Sequence, residues 1–179
     1  MGKFNFIETP VAGVFVVEPA VFGDERGYFM ETYNKEDFFA AGIRAEFVQD
    51  NQSFSKLGVL RGLHAQKTRP QAKLVRVLSG EVYDVCVDVR PDSPTYGKWY
   101  GVYLSEANKR QFYIPRGLLH GFLVTSETAV FAYKCDDFYA PGDEAGVIWN
   151  DPGIGIVWPE NICPQLSEKD ARLPRLKDL

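Results

Sequence analysis

Alternation of apolar and polar residues predicts a chain built mainly from β-strands. Side chains on a strand point to opposite faces with a period of two. Segments with that alternation, or with short apolar runs, occupy 14–17, 28–33, 73–78, 81–89, 99–104, 111–114, 121–124 and 128–135. Short strands at this spacing are typical of a β-sandwich or barrel. The sequence contains no internal repeat and no linker, so we expect a single domain over residues 1–179.

The segments 73–78 and 81–89 are separated by Ser79-Gly80, a pair typical of a tight turn. They are therefore predicted to form a hairpin. In the second segment, Asp84 and Asp88 share one face with apolar residues, and the opposite face is apolar throughout. Carboxylates in so apolar a strand are unusual, because they are rarely buried without a partner.

Two segments depart from the β pattern. Residues 34–41 are predicted to form a short helix that Asn34 caps and Gly42 ends. Ser167-Glu168-Lys169-Asp170 has the spacing of a capping box, which predicts the start of another short helix.

Composition supports this fold class and narrows the function classes. Aromatic residues make up 14% of the chain, and many aromatics with regular turn residues favour an all-β chain. The formal net charge is −4, which argues against a nucleic-acid partner because phosphate binding needs a basic face. No apolar run approaches the ~20 residues of a membrane helix, so no membrane partner is expected.

Cysteine usage and the first residues bear on location. Cys86, Cys135 and Cys163 are an odd number of widely spaced cysteines, which excludes a disulfide framework and a cysteine-based zinc site. Residues 1–17 lack the charged-then-apolar layout of a secretory signal. A reducing cytoplasm is the simplest expectation.

The chain has only two histidines, His64 and His120, so a site built on imidazole must use one or both. If residues 60–66 form a strand, Arg61 lies on the face opposite His64, unless Gly62 marks a bulge. His64 is either a general base, since its pKa lies near neutrality, or a hydrogen-bonded structural histidine. His120 either contacts a substrate oxygen or satisfies carbonyl groups of a turn.

Metal binding is the rival interpretation of a histidine on a β-barrel strand. Many cupin-type barrels place two histidines one residue apart, but here Gln66 stands two positions after His64. Two imidazoles and a distant carboxylate are a conceivable iron site. Nothing in the spacing supports it, so we expect no metal.

Other candidate residues also have two interpretations. Lys73 would stabilise an anionic intermediate or be a solvated strand end. Tyr133 would act as a general acid or belong to the core, because a free phenol has a pKa of ~10. Asp170 would orient an imidazole or cap a helix. Arg26 and Arg61 would bind pyrophosphate through their planar guanidinium groups or be solvated.

Several short motifs follow one another along nearly the whole chain. They are Phe22-x-Asp24-x-Arg26-Gly27-x-Phe29-x-Glu31, Gln49-Asp50-Asn51-x-Ser53, Leu60-Arg61-Gly62-Leu63-His64-x-Gln66, Lys73-Leu74-Val75-Arg76-Val77, Gly80-x-Val82-x-Asp84-Val85, Tyr113-Ile114-Pro115-x-Gly117-x-x-His120-Gly121-Phe122, Tyr133-Lys134-Cys135, Trp158-Pro159 and Leu166-Ser167-Glu168-Lys169-Asp170. Each motif alone is weak, but the ordered set is specific and resembles the dTDP-4-dehydrorhamnose 3,5-epimerase family. The stretch 67–73 is one residue shorter than is usual in that family.

The resemblance implies an all-β, cupin-type jelly-roll barrel with a few short helices, which forms a homodimer and uses no metal or cofactor. It implies epimerisation of dTDP-4-dehydro-6-deoxy-D-glucose at C3 and C5 to dTDP-4-dehydro-L-rhamnose. The keto group at C4 acidifies both neighbouring C–H bonds, so one base can serve both centres.

The same resemblance implies the roles of individual residues. His64 would remove the protons, Asp170 would orient its imidazole, and Lys73 would stabilise the enolate oxygen. Tyr133 would return a proton from the opposite face of the ring. The implied substrate-binding residues are Arg26, Glu31, Gln49, Asn51, Arg61, His120, Tyr139, Glu144 and Lys169, with Tyr139 stacked on thymine and some residues supplied by the partner subunit.

Three alternatives stay open from the sequence. A relative on the same scaffold could invert only one centre of a related nucleotide 4-keto-6-deoxysugar, because motifs do not count inversions. A metal-dependent cupin would hold iron, zinc or manganese. A non-catalytic sugar-binding barrel is the least favoured, because binding alone needs no acid–base set.

Overall fold

Two antiparallel β-sheets face each other in the structure, a computed structural model that describes residues 3–179. The strands are β1 (Phe4–Glu8), β2 (Phe15–Pro19), β3 (Phe22–Asp24), β4 (Gly27–Phe29), β5 (Gln49–Lys56), β6 (Leu60–Gln66), β7 (Lys73–Ser79), β8 (Glu81–Asp88), β9 (Trp99–Ser105), β10 (Gln111–Ile114), β11 (Leu118–Val124), β12 (Thr128–Cys135) and β13 (Glu144–Gly146). The prediction of an all-β chain with few helices is confirmed. The first two residues of the segment 1–17 lie outside the described residues.

The first sheet has the strand order β1-β2-β10-β7-β12-β5, and the second has the order β13-β6-β11-β8-β9. Strands β3 and β4 form a separate two-stranded hairpin. Consecutive strands repeatedly lie in different sheets, as β5 and β6 do, so the chain crosses between the layers several times. Side chains distant in sequence therefore meet between the sheets.

Helical structure within residues 3–179 is confined to α1 (Lys35–Ala40) and two 3-10 turns, Asp170–Arg172 and Leu176–Asp178. The Asn34 side chain accepts backbone hydrogen bonds from the first turn of α1, and the helix stops before Gly42. The predicted cap and end of this helix are confirmed. No helix in this part of the chain is long and apolar enough to cross a membrane.

The main apolar core lies between the two sheets. Phe112 and Phe131 of the first sheet pack there with Leu104 and Phe122 of the second. The rings of Phe122 and Phe131 stack with centroids 4.3 Å apart. Complete burial of one such side chain stabilises the fold by about 1.5–3 kcal/mol. This core holds the sheets at a fixed spacing beside the polar groups described below.

Each sheet is also covered on its outer face. Helix α1 inserts Phe38 against the first sheet, where the rings of Phe4, Phe6 and Tyr33 lie 5.0–5.2 Å from it. The segment after β13 covers the second sheet, and Val147 is fully buried there. Both sheets are thus packed on their outer faces as well as against each other.

The predicted hairpin between 73–78 and 81–89 is wrong. Strand β7 lies in the first sheet between β10 and β12, whereas β8 lies in the second between β11 and β9. Ser79-Gly80 carries the chain from one sheet to the other. The local sequence pattern identifies the turn and both strands. It does not show whether the chain pairs β8 with β7 in one sheet or crosses to the facing sheet.

The alternation predicted for β8 is confirmed. Cys86 contributes to the core between the sheets, whereas Val85 and Val87 join the cluster on the outer face. Asp84 therefore faces inward, and it is 0% exposed.

Two strands differ in extent from the prediction. The strand expected over 28–33 ends at Phe29, because β4 pairs with a partner of only three residues. Strand β11 begins at Leu118 instead of 121, and each of its residues is buried. His120 consequently lies inside a buried strand instead of opening it.

The crossing at Gly80 gives a stability prediction. Gly80 has φ +79°, and a Cβ there would lie 2.0 Å from the backbone oxygen of Thr128. Gly97 has a similar φ of +76° with open space around it. We expect Gly97→Ala to lower the free energy of unfolding by about 1 kcal/mol, and Gly80→Ala to lower it by at least about 2 kcal/mol more. Urea unfolding followed by circular dichroism measures both; equal losses would contradict the steric role of Gly80.

Candidate active site

A cavity with two connected lobes lies between the sheets. The lobes have volumes of about 290 Å³ and about 600 Å³. His64, Lys73, His120, Tyr133 and Glu144 line both of them. The other predicted site residues that line one lobe are Gln49, Asn51, Arg61, Tyr139, Lys169 and Asp170.

A bulge in β6 brings His64 and Arg61 to the same side. His64 is opposite His120 of β11 and Arg61 is opposite Phe122, so two β6 residues face one β11 residue between these pairs. The chains approach closely at this point, since a Cβ on Gly62 would lie 2.6 Å from the Cα of Gly121. Arg61 therefore lines the cavity together with His64. The prediction from simple alternation, which placed Arg61 on the opposite face, is wrong, and the alternative of a bulge at Gly62 is confirmed.

His64 pairs with a carboxylate 106 residues away in sequence. Its Nε2 lies 2.6 Å from Asp170 Oδ1. The Asp170 side chain is 7% exposed and the His64 side chain 28%. Ser167 Oγ accepts the backbone N–H of Asp170, as one half of a capping box would. The backbone of Asp170 thus takes part in the capping interaction, whereas its carboxylate contacts the imidazole of His64. Each of the two interpretations of Asp170 therefore describes a different group of this residue.

The segment that carries Asp170 is fastened to β6 by main-chain bonds. Leu60 donates its N–H to the carbonyl of Gln165 at 3.0 Å, and Gln165 donates its own to Gly58 at 2.7 Å. Asp170 is therefore delivered beside the strand that carries His64.

The pairing determines which nitrogen of His64 is available. A carboxylate accepts a hydrogen bond, so Nε2 donates its proton to Asp170, which leaves Nδ1 as the basic nitrogen. Burial lowers the pKa of His64, and the charges of Lys73 and Lys169 lower it further, while Asp170 raises it. The imidazole is thus neutral at pH 7 and able to accept a proton.

Lys73 reaches the cavity from the first residue of β7, between Ile114 of β10 and Cys135 of β12. Within residues 3–179 it forms no ion pair. Burial lowers the pKa of Lys73, while Cys135 and Asp84 raise it. An ammonium group without a carboxylate contact is suited to stabilise a negative charge that appears on a bound molecule.

The loop before Lys73 is held by one carboxylate. Asp143 accepts hydrogen bonds from the backbone N–H groups of Thr68 and Arg69, at 3.0 Å and 2.9 Å. Lys73, at the end of this loop, lines both lobes of the cavity.

Tyr133 stands on β12 of the first sheet, whereas His64 stands on β6 of the second. No protein group in the described part of the chain forms a hydrogen bond with its hydroxyl. Burial raises the pKa of Tyr133, so the phenol keeps its proton at neutral pH. A proton donor and a proton acceptor thus line one cavity from opposite sheets.

The second histidine also has a carboxylate partner. His120 Nε2 lies 3.0 Å from each oxygen of Asp84. The sequence marks Asp84 as an unusual carboxylate in an apolar strand and as part of one motif of the resemblance, but neither signal assigns it a role in the site. Its partner stands on a neighbouring strand, and strand pairing is what brings the two together.

The nucleotide-facing candidates form a connected rim. Gln49 donates to Asn51 at 3.0 Å and accepts the backbone N–H of Tyr139, also at 3.0 Å. Tyr139 is half-exposed at the edge of the cavity. Lys169 and Glu144 form an ion pair.

Gln66 supports the same rim, which sequence analysis missed. It accepts the backbone N–H of Ala140 at 2.8 Å and donates to the carbonyl of Arg69 at 2.6 Å. Gln66 stands two positions after His64, where many metal-binding cupins have a second histidine, and its side-chain amide has a structural role here.

Two predicted site residues lie outside the cavity. Arg26 stands at the exposed tip of the β3–β4 hairpin and pairs with Asp24 at 2.6 Å. Glu31 pairs with Lys3 at 2.8 Å. Neither lines the cavity of its own chain.

The described residues contain no group of three or more His, Cys, Asp or Glu side chains arranged to hold a metal ion. Each imidazole instead faces a single carboxylate: His64 faces Asp170, and His120 faces Asp84.

Comparison with known proteins identifies related sequences over nearly the full length. The family model described as dTDP-4-dehydrorhamnose 3,5-epimerase matches residues 8–178. The Salmonella typhimurium protein of that name is 52% identical over 172 residues, which cover 95% of this chain and 94% of the relative. The protein of the same name from Methanothermobacter thermautotrophicus is 50% identical over 180 residues, with coverage of 99% and 97%.

A solved structure with a bound sugar nucleotide is also similar. It is dTDP-6-deoxy-D-glucose-3,5-epimerase from Legionella pneumophila in complex with dTDP-4-keto-L-rhamnose. The TM-score is 0.94 at 50% identity, and the match covers 97% of this chain and 93% of the other. This likeness confirms the expected cupin-type architecture.

The His64–Asp170 pair predicts a titration that proton NMR can follow, because the chain has two histidines. We expect His64 to titrate below the ordinary value of ~6.5. Asp170→Asn removes a charge that raises the pKa of His64, so this pKa should fall further. The control is Glu168→Gln, which changes a side chain that is 92% exposed and should leave the pKa unchanged. Equal shifts in the two variants would refute the pairing.

Proposed function

The chain belongs to the dTDP-4-dehydrorhamnose 3,5-epimerase family, and on that premise we propose how the cavity residues divide the reaction between them. Relatives at about 50% identity over nearly the whole chain carry the name of the double epimerase. The protein is an isomerase that converts dTDP-4-dehydro-6-deoxy-D-glucose into dTDP-4-dehydro-L-rhamnose by inversion at C3 and C5.

The chemistry begins with the ketone at C4, which acidifies the C–H bonds at C3 and C5. Removal of either proton delocalises the electron pair onto the C4 oxygen as an enolate. We assign the base to His64 Nδ1, since Nε2 is engaged by Asp170 at 2.6 Å and burial keeps the imidazole neutral. Asp170 then stabilises the imidazolium that forms.

The enolate oxygen needs a positive partner, and Lys73 supplies it in this proposal. Its ammonium group lines the cavity without an ion pair among residues 3–179, so its charge is available to the substrate. A preorganised charge at the site where negative charge develops stabilises the transition state more than the ground state.

Inversion requires the new proton to arrive on the face opposite the base. Tyr133 lines the same cavity from the facing sheet, which is the single observation that carries the mechanism. Its phenol is protonated at neutral pH, because burial raises the pKa. We propose that Tyr133 protonates the carbanion at C3. His64 then releases its proton to solvent and Tyr133 regains one from solvent, so the same two groups can invert C5.

The remaining polar residues would hold the nucleotide and the sugar. Tyr139 is proposed to stack on thymine, and Gln49 fixes its backbone. Arg61 would bind phosphate or sugar oxygens, and His120 would bind the sugar. Asn51, Glu144 and Lys169 complete the polar lining.

Arg26 and Glu31 would act in the site of a partner subunit, in a homodimer. The hairpin that carries Arg26 also exposes Phe22, Tyr28 and Phe29, each 58% or more exposed. Exposed apolar groups of this kind mark interaction surfaces. A second copy of the chain would cover these rings and receive the arginine.

The reaction needs no external redox partner, because the substrate and product are isomers, and we propose that no metal or cofactor takes part. A cytoplasmic location fits the three free thiols of Cys86, Cys135 and Cys163.

Tyr133→Phe should separate proton exchange from inversion. In deuterated water, proton NMR follows loss of the C3 and C5 signals, and a reductase traps the inverted product. We expect Tyr133→Phe to exchange protons through His64 but to form much less trapped product, because the proton returns from the base side. His64→Ala should show neither exchange nor product while it still binds dTDP.

The matched control is Tyr103→Phe, which removes the hydroxyl of a tyrosine on β9 that is 44% exposed and outside the cavity. It should behave as the wild type. Normal product formation by Tyr133→Phe, or activity in His64→Ala, would overturn the corresponding assignment.

Lys73→Gln should lower kcat by about 10²–10³-fold, as does loss of one preorganised partner of a developing oxyanion. The control is Lys134→Gln on β12, whose ammonium pairs with Asp50 at 2.8 Å outside the cavity. Steady-state kinetics and dTDP affinity are measured for both. Equal kcat values in the two variants would show that Lys73 does not stabilise the enolate.

A further inference from the structure

Asp84 is an ionisable group that the proposed mechanism does not use. It lies on the inner face of β8 and is 0% exposed. Its neighbours on that face, Val82 and Cys86, belong to the apolar core between the sheets. Burial of a carboxylate is unfavourable unless it is paired, so an apolar residue would suit the packing of this strand better.

Asp84 contacts one functional group of the cavity. Both of its oxygens lie 3.0 Å from His120 Nε2. A protonated carboxyl group would donate through one oxygen only, whereas an ionised carboxylate can share one N–H between its two oxygens. The equal distances therefore fit a proton on His120 Nε2 that is donated to an ionised Asp84.

We propose that Asp84 is a positioning residue that holds His120 in the tautomer with its proton on Nε2, so that Nδ1 accepts a hydrogen bond from a hydroxyl of the sugar. This inference rests on the proposed function, in which His120 contacts the sugar. His120 lines both lobes of the cavity, and Nδ1 has no protein partner among the described residues.

Burial raises the pKa of Asp84 above its ordinary value, whereas His120 and the nearby positive charge of Lys73 act in the opposite direction. The ionised form is therefore inferred from the contact geometry with His120. His120 is opposite His64 in the β6–β11 ladder, so a hydroxyl held by His120 lies beside the proposed base. The tautomer of His120 would then help to set the position of the sugar relative to His64.

The chain contains a matched control on the same face of the same strand. Asp88 is also 0% exposed, but its partners are structural. It accepts hydrogen bonds from Arg90, from Ser93 at 2.5 Å and from Thr95 at 2.6 Å, all in the loop after β8. Asp88 does not line either lobe of the cavity.

The experiment compares Asp84→Asn with Asp88→Asn. An asparagine at 84 can donate or accept toward Nε2, so it no longer fixes the tautomer. We expect kcat/KM to fall about tenfold to a hundredfold, as for loss of a hydrogen bond to a charged group, with little change in the unfolding midpoint. Asp88→Asn should instead lower the unfolding midpoint and keep kcat/KM within about twofold of the wild type.

The tautomer itself is measured in the wild type by two-bond 1H–15N NMR correlations of the imidazole, so this arm does not depend on how a variant folds. The proposal expects the proton of His120 on Nε2 in the wild type and a mixture of tautomers in Asp84→Asn. A proton on Nδ1 in the wild type would overturn it.

A double-mutant cycle tests whether Asp84 acts through His120. In a His120→Gln background, Asp84→Asn should change kcat/KM by less than about threefold. A full loss in that background, or wild-type kcat/KM in the single variant, would overturn the proposal. Absence of epimerisation by the wild type in the same assay would instead refute the proposed function.

Discussion

Burial of charge between the two sheets costs free energy, and this cost determines which ionisable side chains in the interior have a partner. An unpaired ion there is strongly unfavourable, and each of the two imidazoles faces one carboxylate. His64 pairs with Asp170, and His120 pairs with Asp84. The two histidines lie opposite each other on strands β6 and β11. Lys73 has no such contact in the described chain. The interior thus holds two carboxylates that each accept a hydrogen bond from an imidazole, and one cation whose counter-charge is proposed to come from the enolate during turnover.

A sandwich with both outer faces covered suits inversion of a carbon centre. The cavity between the layers is lined from two sides, so a flat ring bound in it meets one set of groups on each face. His64 belongs to one sheet and Tyr133 to the other. The apolar contact of Phe122 with Phe131 joins the same two sheets. Packing that stabilises the fold therefore also sets the separation of the proposed acid and base.

Periodicity in the sequence was sufficient to predict most strands, the helix after Asn34 and the two faces of β8, because these features depend on neighbours within a few residues. The pairing of β7 and β8 was predicted wrongly, since the choice between sheets depends on packing with distant strands. The contact of Asp84 with His120 escaped prediction for the same reason. The family resemblance predicted that Asp170 pairs with His64, and the structure shows this contact. The resemblance also predicted that Arg26 binds substrate, but Arg26 does not line the cavity of its own subunit.

Asp170 is carried by a segment that follows the last strand and is fastened to β6 through Gln165. Both sheets are complete without that segment, and local opening of a peripheral segment costs less than global unfolding. If this segment opened, His64 would lose its contact with Asp170 and the enzyme would be inactive, while the two sheets would stay intact. The proposed activity therefore depends on the docking of one peripheral segment, whereas the pairing of the strands in the two sheets does not.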